Sequence, residues 1–304
     1  MERERPGDGF NTGGDQDDVD MKAIDGITAL VTGSTDGIGR RTAHDLAERG
    51  AAVLLHGRNA DRGAEAMEEI ARATGNDRLR YLNVDLSSLD EARDLASMLE
   101  GEGIDVLINN AGIGPGAPGA AREVSQDGHE LRMAVNYLAP FLLTHLLLPS
   151  LRRAAPSRIV NLASLGQSRV DLDDLMMERG YDGWDAYGRS KLALIMFTME
   201  LAERLDSVPI MVNALHPGTL LDTKIVRESA SRPQGKVQEG ADAVVFLATS
   251  PSLDGVTGRF FSGRREAVAD RQAYDPAARK ELYRRSVELT GARGLAPASA
   301  AGFS

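Results

Sequence analysis

Seven short apolar runs, each trailed by a stretch of helical periodicity, succeed one another between residues 27 and 262. Ile27-Thr28-Ala29-Leu30-Val31 is continuous rather than alternating and lies beside a glycine, the pattern of a strand buried on both faces. A helical stretch from Ile38 to Arg49 follows, with Ala43, Leu46 and Ala47 on one side and Gly50 as its stop. Further strands are expected at Ala52–His56, Leu79–Val84, Ile104–Ile108, Arg158–Leu162, Ile210–Ala214 and Arg259–Ser262. Helices are expected at Ala60–Ala73, Leu89–Leu99, Glu130–Leu151, Tyr187–Leu205 and Glu239–Thr249. Hairpins do not need connections of about 20 residues or more, so the strands should lie parallel with helices on both faces. The expected fold class is α/β. One doubly wound domain with a seven-stranded parallel sheet spans residues 24–265, and a helical extension and tail occupy 266–304.

Composition removes several chemistries. The chain has 304 residues, no cysteine and a formal net charge of −10. Disulfides, thiolate catalysis and cysteine-held zinc are therefore out, and the acid excess argues against a nucleic-acid partner. Half of that excess sits in residues 1–20, where Glu2, Glu4, Asp8, Asp15, Asp17, Asp18 and Asp20 face only Arg3 and Arg5. Met1, Phe10 and Val19 cannot offset the ordering entropy there, so residues 1–23 read as a disordered acidic leader. The longest apolar run, Tyr137 to Leu151, contains Pro140, His145 and Pro149 and is too short for a bilayer span. The expected protein is cytoplasmic, with no membrane partner.

Three segments carry chemistry. Thr32-Gly33-Ser34-Thr35-Asp36-Gly37-Ile38-Gly39 lies between the first strand and its helix. Glycines there allow a tight turn and let backbone N–H groups meet a pyrophosphate at a helix N-terminus, as in Rossmann-type domains. The second strand ends in His56-Gly57-Arg58-Asn59. An acidic residue at this point selects NAD. Arg58 can instead pair with a 2′-phosphate, so NADP(H) is favoured over NAD(H). Tyr187-Gly188-Arg189-Ser190-Lys191 puts a phenol and an ammonium on one helix face. Ser164 follows the fifth strand, Asn136 lies in the long helix before it, and Asn109-Asn110-Ala111-Gly112 ends the fourth strand. A parallel sheet delivers all of these to one carboxyl edge, beside the Gly114–Gly119 loop.

These residues resemble the short-chain dehydrogenase/reductase family. Its pattern is a Thr-Gly-x3-Gly-x-Gly turn, Asn-Asn-Ala-Gly, and an Asn, Ser, Tyr-x3-Lys tetrad. The tetrad maps onto Asn136, Ser164, Tyr187 and Lys191, and the likeness covers residues 24–290. It implies cofactor contacts from Gly33, Ser34, Thr35, Asp36, Gly37, Ile38 and Gly39, from Arg58 and Asn59, and from Asp85 and Leu86. It also implies them from Asn110, Ala111, Gly112, Tyr187, Lys191, Pro217, Gly218 and Thr219. A narrower likeness is to the retinol-dehydrogenase-like branch, through the long Ser164-to-Tyr187 spacing, Asn213-Ala214-Leu215-His216-Pro217-Gly218 and Val256-Thr257-Gly258-Arg259-Phe260-Phe261. Many members of that branch carry an apolar N-terminal anchor. The acidic leader here argues against a membrane-borne retinoid substrate. Asp36 also departs from many NADP-preferring relatives, which carry a base there; Arg40 is the expected compensation.

The resemblance implies transfer of hydride between nicotinamide and a carbonyl or alcohol of a small organic molecule, in a homodimer or homotetramer. A lysine charge ~4 Å from a phenol at an effective dielectric of ~20 is worth about 4 kcal/mol, which would bring Tyr187 from about 10 to near 7. Ser164 would hydrogen-bond the substrate oxygen, and Asn136 would hold Lys191 through a water. The same tetrad also serves tailoring enzymes that epimerise or dehydrate, and a sensor could keep the fold without catalysis. No metal is expected, since His44, His56, His129, His145 and His216 show no ligand spacing. Trp184 reads either as a wall of the substrate pocket or as an aromatic packed on the core. Leu192, Leu194, Ile195, Phe197 and Met199 read as core or dimer surface. Leu220–Val237, rich in charge, reads as a mobile lid that orders on binding.

Overall fold

The computed structural model describes residues 24–296, so the expected leader lies outside the described residues. The first half alternates β1 (Thr28–Val31), α1 (Gly37–Glu48), β2 (Ala52–Gly57), α2 (Ala60–Thr74), β3 (Leu79–Asn83), α3 (Leu89–Ser97) and β4 (Val106–Asn109). A long helical stretch then comprises α4 (Leu131–Met133), a π-helical turn (Ala134–Leu138) and α5 (Ala139–Arg153). After it come β5 (Ser157–Leu162), α6 (Gly183–Arg204), β6 (Ile210–His216), α7 (Lys224–Glu228) and α8 (Val237–Thr249). The chain closes with β7 (Phe260–Ser262), β8 (Arg265–Glu266) and α9 (Pro276–Thr290).

The sheet order is β3-β2-β1-β4-β5-β6-β7-β8. Pairing is parallel through β7, with registers such as Leu30↔Leu54 and Leu107↔Ile159. The expected seven-stranded sheet is corrected to eight, because β8 turns back antiparallel on β7, with Phe261↔Glu266 and Ser262↔Arg265. Two exposed charged residues carry no hydrophobic alternation, so periodicity could not reveal that strand. The helix bearing Tyr187 also starts earlier than expected, at Gly183, because Asp182 caps it by accepting from Asp185 N.

Alternate strand residues feed two cores. Leu30, Leu54, Leu107 and Ile159 face α3, α5, α6 and α9, while Val31, Leu55, Ile108 and Val160 face α1, α2 and α8. Leu131–Arg153 is long and apolar enough to cross a membrane by length and composition, yet 89% of its apolar window is buried in this fold. It is the central helix of the first core. Strand order reverses between β1 and β4, and the crevice outside their carboxyl ends is where open α/β sheets take ligands.

Candidate active site

At that crevice the turn after β1 is sewn to the end of β4. Thr32 Oγ1 accepts from Asn110 N and Ala111 N, both at 3.0 Å, and Asn110 Nδ2 donates to Thr32 O at 2.7 Å. Gly33 takes φ +65° and passes so close that a Cβ would lie 2.8 Å from Ala111 Cα. A Cβ on Gly39 would strike Gly33 O and the Asn110 amide. Both positions require glycine for backbone approach. Asp36 caps α1, its carboxylate accepting from Gly37 N at 2.7 Å.

His56 holds this turn from the neighbouring strand, a role that sequence reading missed. Its Nδ1 accepts from Gly33 N at 3.1 Å, and its backbone N–H donates to Ser34 Oγ at 2.9 Å. Burial pulls the imidazole down to about 4, so the ring stays neutral and its Nδ1 free to accept. Nothing in the sequence marks it, because the contact joins two strands.

A cavity of about 600 Å³ opens over the turn. Most of the expected residues line it: Gly33, Thr35–Gly39, Arg58, Asp85, Leu86, Asn110–Gly112, Ser164, Tyr187, Lys191 and Pro217–Thr219. Three do not. Ser34 is buried behind the turn, and Asn59 caps α2 by accepting from Arg62 N at 2.9 Å. Asn136 is buried in the π-helical turn, where Oδ1 accepts from Ile113 N at 2.8 Å and Nδ2 donates to Ser190 Oγ at 2.9 Å. Such turns recur inside helices at functional sites.

At the adenosine end the charges are arranged differently from expectation. Arg58 lies 3.7 Å from Asp85, and Arg62 pairs with Asp36 at 2.9 Å. Arg40, the expected compensation for Asp36, instead pairs with Glu69 on α2. Partial burial works to raise the Asp36 carboxyl, but hydrogen bonds from Arg62 and Gly37 outweigh it and hold it below the usual range. Arg62, one helical turn along α2, lines the cavity and was not singled out from the sequence.

At the other end Tyr187 and Lys191 project from α6. Lys191 Nζ donates to Leu162 O at 2.8 Å and stands 5.7 Å from the centre of the Tyr187 ring. Burial draws the ammonium down to about 8. The expectation that Lys191 brings the phenol near 7 is corrected: burial pushes Tyr187 upward, and only a hydrogen bond with Ser164 opposes it. Desolvating the phenolate outweighs a charge turned toward a carbonyl.

The rest of the wall mixes an apolar patch with polar residues, among them His216, Thr223, Lys224, Glu228 and Ser229. Val135, Leu165, Trp184, Ile225 and Val226 line it, and Trp184, 49% exposed, stands edge-on to Tyr187 with ring centres 6.4 Å apart. Trp184 is thus pocket wall rather than core. The segment expected to act as a lid is partly helical as α7, capped by Thr223, and Ile225 lies close to Gly114. Ile225-Val226 is an apolar pair set among charged residues, a signal available to sequence reading. Among the described residues, His44, Asp45 and Glu48 bring ligand-type atoms within 4.8 Å of one another, outside the cavity wall. Asp45 is already bound there to Arg41 at 2.8 Å and Gln238 at 3.0 Å.

Comparison with known proteins agrees with this architecture. The short chain dehydrogenase family profile matches residues 27–234. Retinol dehydrogenase 13 of Mus musculus is 36% identical over 288 residues, covering 88% of this chain and 85% of the relative. The crystal structure of an uncharacterized protein from Mycobacterium Paratuberculosis superposes with a TM-score of 0.75 at 30% identity, covering 90% of this chain and 97% of that one. The Pseudomonas aeruginosa RhlG/NADP active-site complex gives a TM-score of 0.65 at 30% identity, over 79% and 95% of the two chains. With the glycine turn, the switch-point cavity and the Tyr187–Lys191 helix in place, the chain belongs to the short-chain dehydrogenase/reductase family, in its retinol-dehydrogenase-like branch.

Proposed function

We propose that the chain is an NADP(H)-dependent oxidoreductase that interconverts an alcohol and a carbonyl on a small, largely apolar molecule. The observation that carries this reading is the meeting of Ser164, Tyr187 and Lys191 on the wall of one cavity whose far end is the glycine turn. The residues fit a dinucleotide: a Cβ at Gly33 or Gly39 would collide with Ala111 or Asn110 and force the turn apart, so only glycine keeps this bare backbone lining the cavity where α1 begins. Gly33–Gly39 would hold the pyrophosphate, Asp85 and Leu86 the adenine, and Asn110–Gly112 with Pro217–Thr219 the nicotinamide side. Arg58 and Arg62 both reach the cavity at the adenosine end, which favours a 2′-phosphate. The NADP bound in the RhlG complex supports the same preference.

When bound, nicotinamide supplies or takes the hydride. In reduction, Tyr187 Oη gives its proton to the carbonyl oxygen while Ser164 Oγ hydrogen-bonds that oxygen as charge develops. Lys191, a cation at neutral pH, favours the phenolate that results. In oxidation the proton moves the other way. Asn136 holds Ile113 and so the loop beside Lys191. Leu165, Trp184, Ile225 and Val226 offer an apolar surface that suits an apolar substrate, in keeping with the retinol named for the relative.

The test is Tyr187→Phe against a panel of apolar aldehydes and alcohols. Turnover should fall about 10²- to 10⁴-fold with NADPH binding kept. Retained turnover would sink the mechanism, and product formed without net NADPH loss would indicate epimerisation or dehydration.

A further inference from the structure

The loop after β4 is gripped by two side chains one helical turn apart. Asn136 takes both backbone groups of Ile113, accepting from its N–H at 2.8 Å and donating to its carbonyl at 3.1 Å. Arg132 takes the next two carbonyls: Nε donates to Gly114 O at 3.0 Å and Nη2 to Pro115 O at 2.9 Å. The guanidinium is almost wholly buried. Its remaining edge donates through Nη1 to Tyr181 Oη at 2.7 Å and to Glu130 Oε1 at 3.3 Å. Glu123 lies 3.8 Å from Nη2. Glu130, equally buried, accepts from Tyr181 Oη at 3.2 Å and from Met133 N at 2.7 Å.

A buried arginine–glutamate pair adds little net stability, because the two ions lose their hydration. What it adds here is geometry. Ile113 and Pro115 line the cavity, and Gly114 between them faces Ile225 of α7. Pro115 O also lies where a Cβ on Gly183 would strike it, at the first turn of the helix that carries Tyr187. Gly116, at φ +81°, leaves room for the guanidinium, since a Cβ there would sit 2.8 Å from Nη2. The planar fork thus fixes the loop, the segment leading into α6 through Tyr181, and the start of α4 at once.

The geometry points to Arg132, seated on Glu130 and Tyr181, as a positioning residue that sets the Ile113–Pro115 wall of the substrate pocket. It rests on the proposed oxidoreductase site and adds to it the residue that shapes the substrate side. Arg132 touches neither the reacting groups nor the cofactor turn, so its loss should be felt in substrate recognition.

The test uses the full chain with Glu130→Gln and Arg132→Met combined. The pair removes both buried charges while keeping volume, and the remaining side-chain amide oxygen at position 130 can still cap α4. KM for the best panel substrate should rise at least about tenfold, with kcat within about threefold and NADPH affinity within about twofold. The backbone amides of Ile113, Gly114, Gly116 and Ala117 should exchange hydrogen at least about tenfold faster while residues 33–39 keep their protection. Arg132→Ala should show the same KM rise and recover with millimolar methylguanidine, which refills the vacated fork. An unchanged KM overturns the inference. So does a parallel fall of kcat, NADPH affinity and melting temperature without guanidine rescue, since that describes a merely structural pair. If the parent turns over nothing in the panel, the oxidoreductase reading falls instead. The exchange arm then decides the clamp, and unchanged exchange at Ile113, Gly114, Gly116 and Ala117 overturns it.

Discussion

Lys191 shows how a single residue sets stability against chemistry. Its ammonium is buried, and its proton is held to about 8 rather than the ordinary 10.5. The unfolded chain keeps that proton between about pH 8 and 10.5 while the folded chain releases it, so stability rises with pH across this window. Below it the full cost remains, up to about 3 kcal/mol. Lys191→Met should therefore raise the melting temperature of the cofactor-free protein at pH 7 while abolishing turnover. Thermal unfolding at pH 7 and above 10.5 checks this, because the gain should vanish at the higher pH. At the adenosine end, Arg58→Ala should weaken NADPH by roughly 10- to 100-fold, the worth of a charged hydrogen bond, and leave NADH unchanged. Asp36→Asn should act oppositely by freeing Arg62, and titration with both dinucleotides measures each ratio. Arg58 was legible from sequence because it ends a strand. Arg62 was not, since only the seating of α2 aims it at the cavity.

Among elements, the turn from β1 into α1 is the most tightly determined. Gly39 lies so near Gly33 O and the Asn110 amide that no side chain fits. Gly39→Ala should cost about 1–3 kcal/mol through overpacking and reduce dinucleotide affinity sharply, read by melting and NADPH fluorescence. Helix α6 shows a different balance. The Tyr187–Lys191 spacing was readable, but its N-terminus at Gly183 depended on the Asp182 cap, and the phenol's environment depended on burial. The stripe Leu192, Leu194, Ile195, Phe197 and Met199 had two readings, and the fold decides for core, because α9 and the turn before it cover that side.

For the whole molecule, α9 closes the first core by polar as well as apolar contacts. Tyr283 Oη bonds His145 Nε2 at 2.7 Å and receives Leu295 N at 2.8 Å, while Tyr137 Oη meets Ser286 Oγ at 2.6 Å. Arg279 reaches Glu200 and Glu203 on α6. Burial pulls His145 down to about 4 from its ordinary 6.5, so the folded ring stays neutral where an unfolded one would take a proton. Its contribution is complete above about 6.5 and fades as pH falls toward 4, by about 3 kcal/mol. Urea unfolding at pH 7 and pH 4.5 should show this loss, and His145→Gln should reduce it. None of these contacts shows in the sequence, where His145 looked like any core-helix histidine and α9 like an appended extension.

The sequence by itself determined the parallel α/β fold, the glycine turn, the Tyr187–Lys191 pair and the family they signal. These follow from local periodicity and from spacing along one element, which a linear text carries. Tertiary structure alone decided the eighth strand, the pairing of Arg62 with Asp36, the seating of the turn on His56, the rise of the Tyr187 phenol and the Arg132 grip on the loop. Each depends on which groups meet across elements and how much water they lose in doing so. Distance through space and burial are quantities that residue order does not contain.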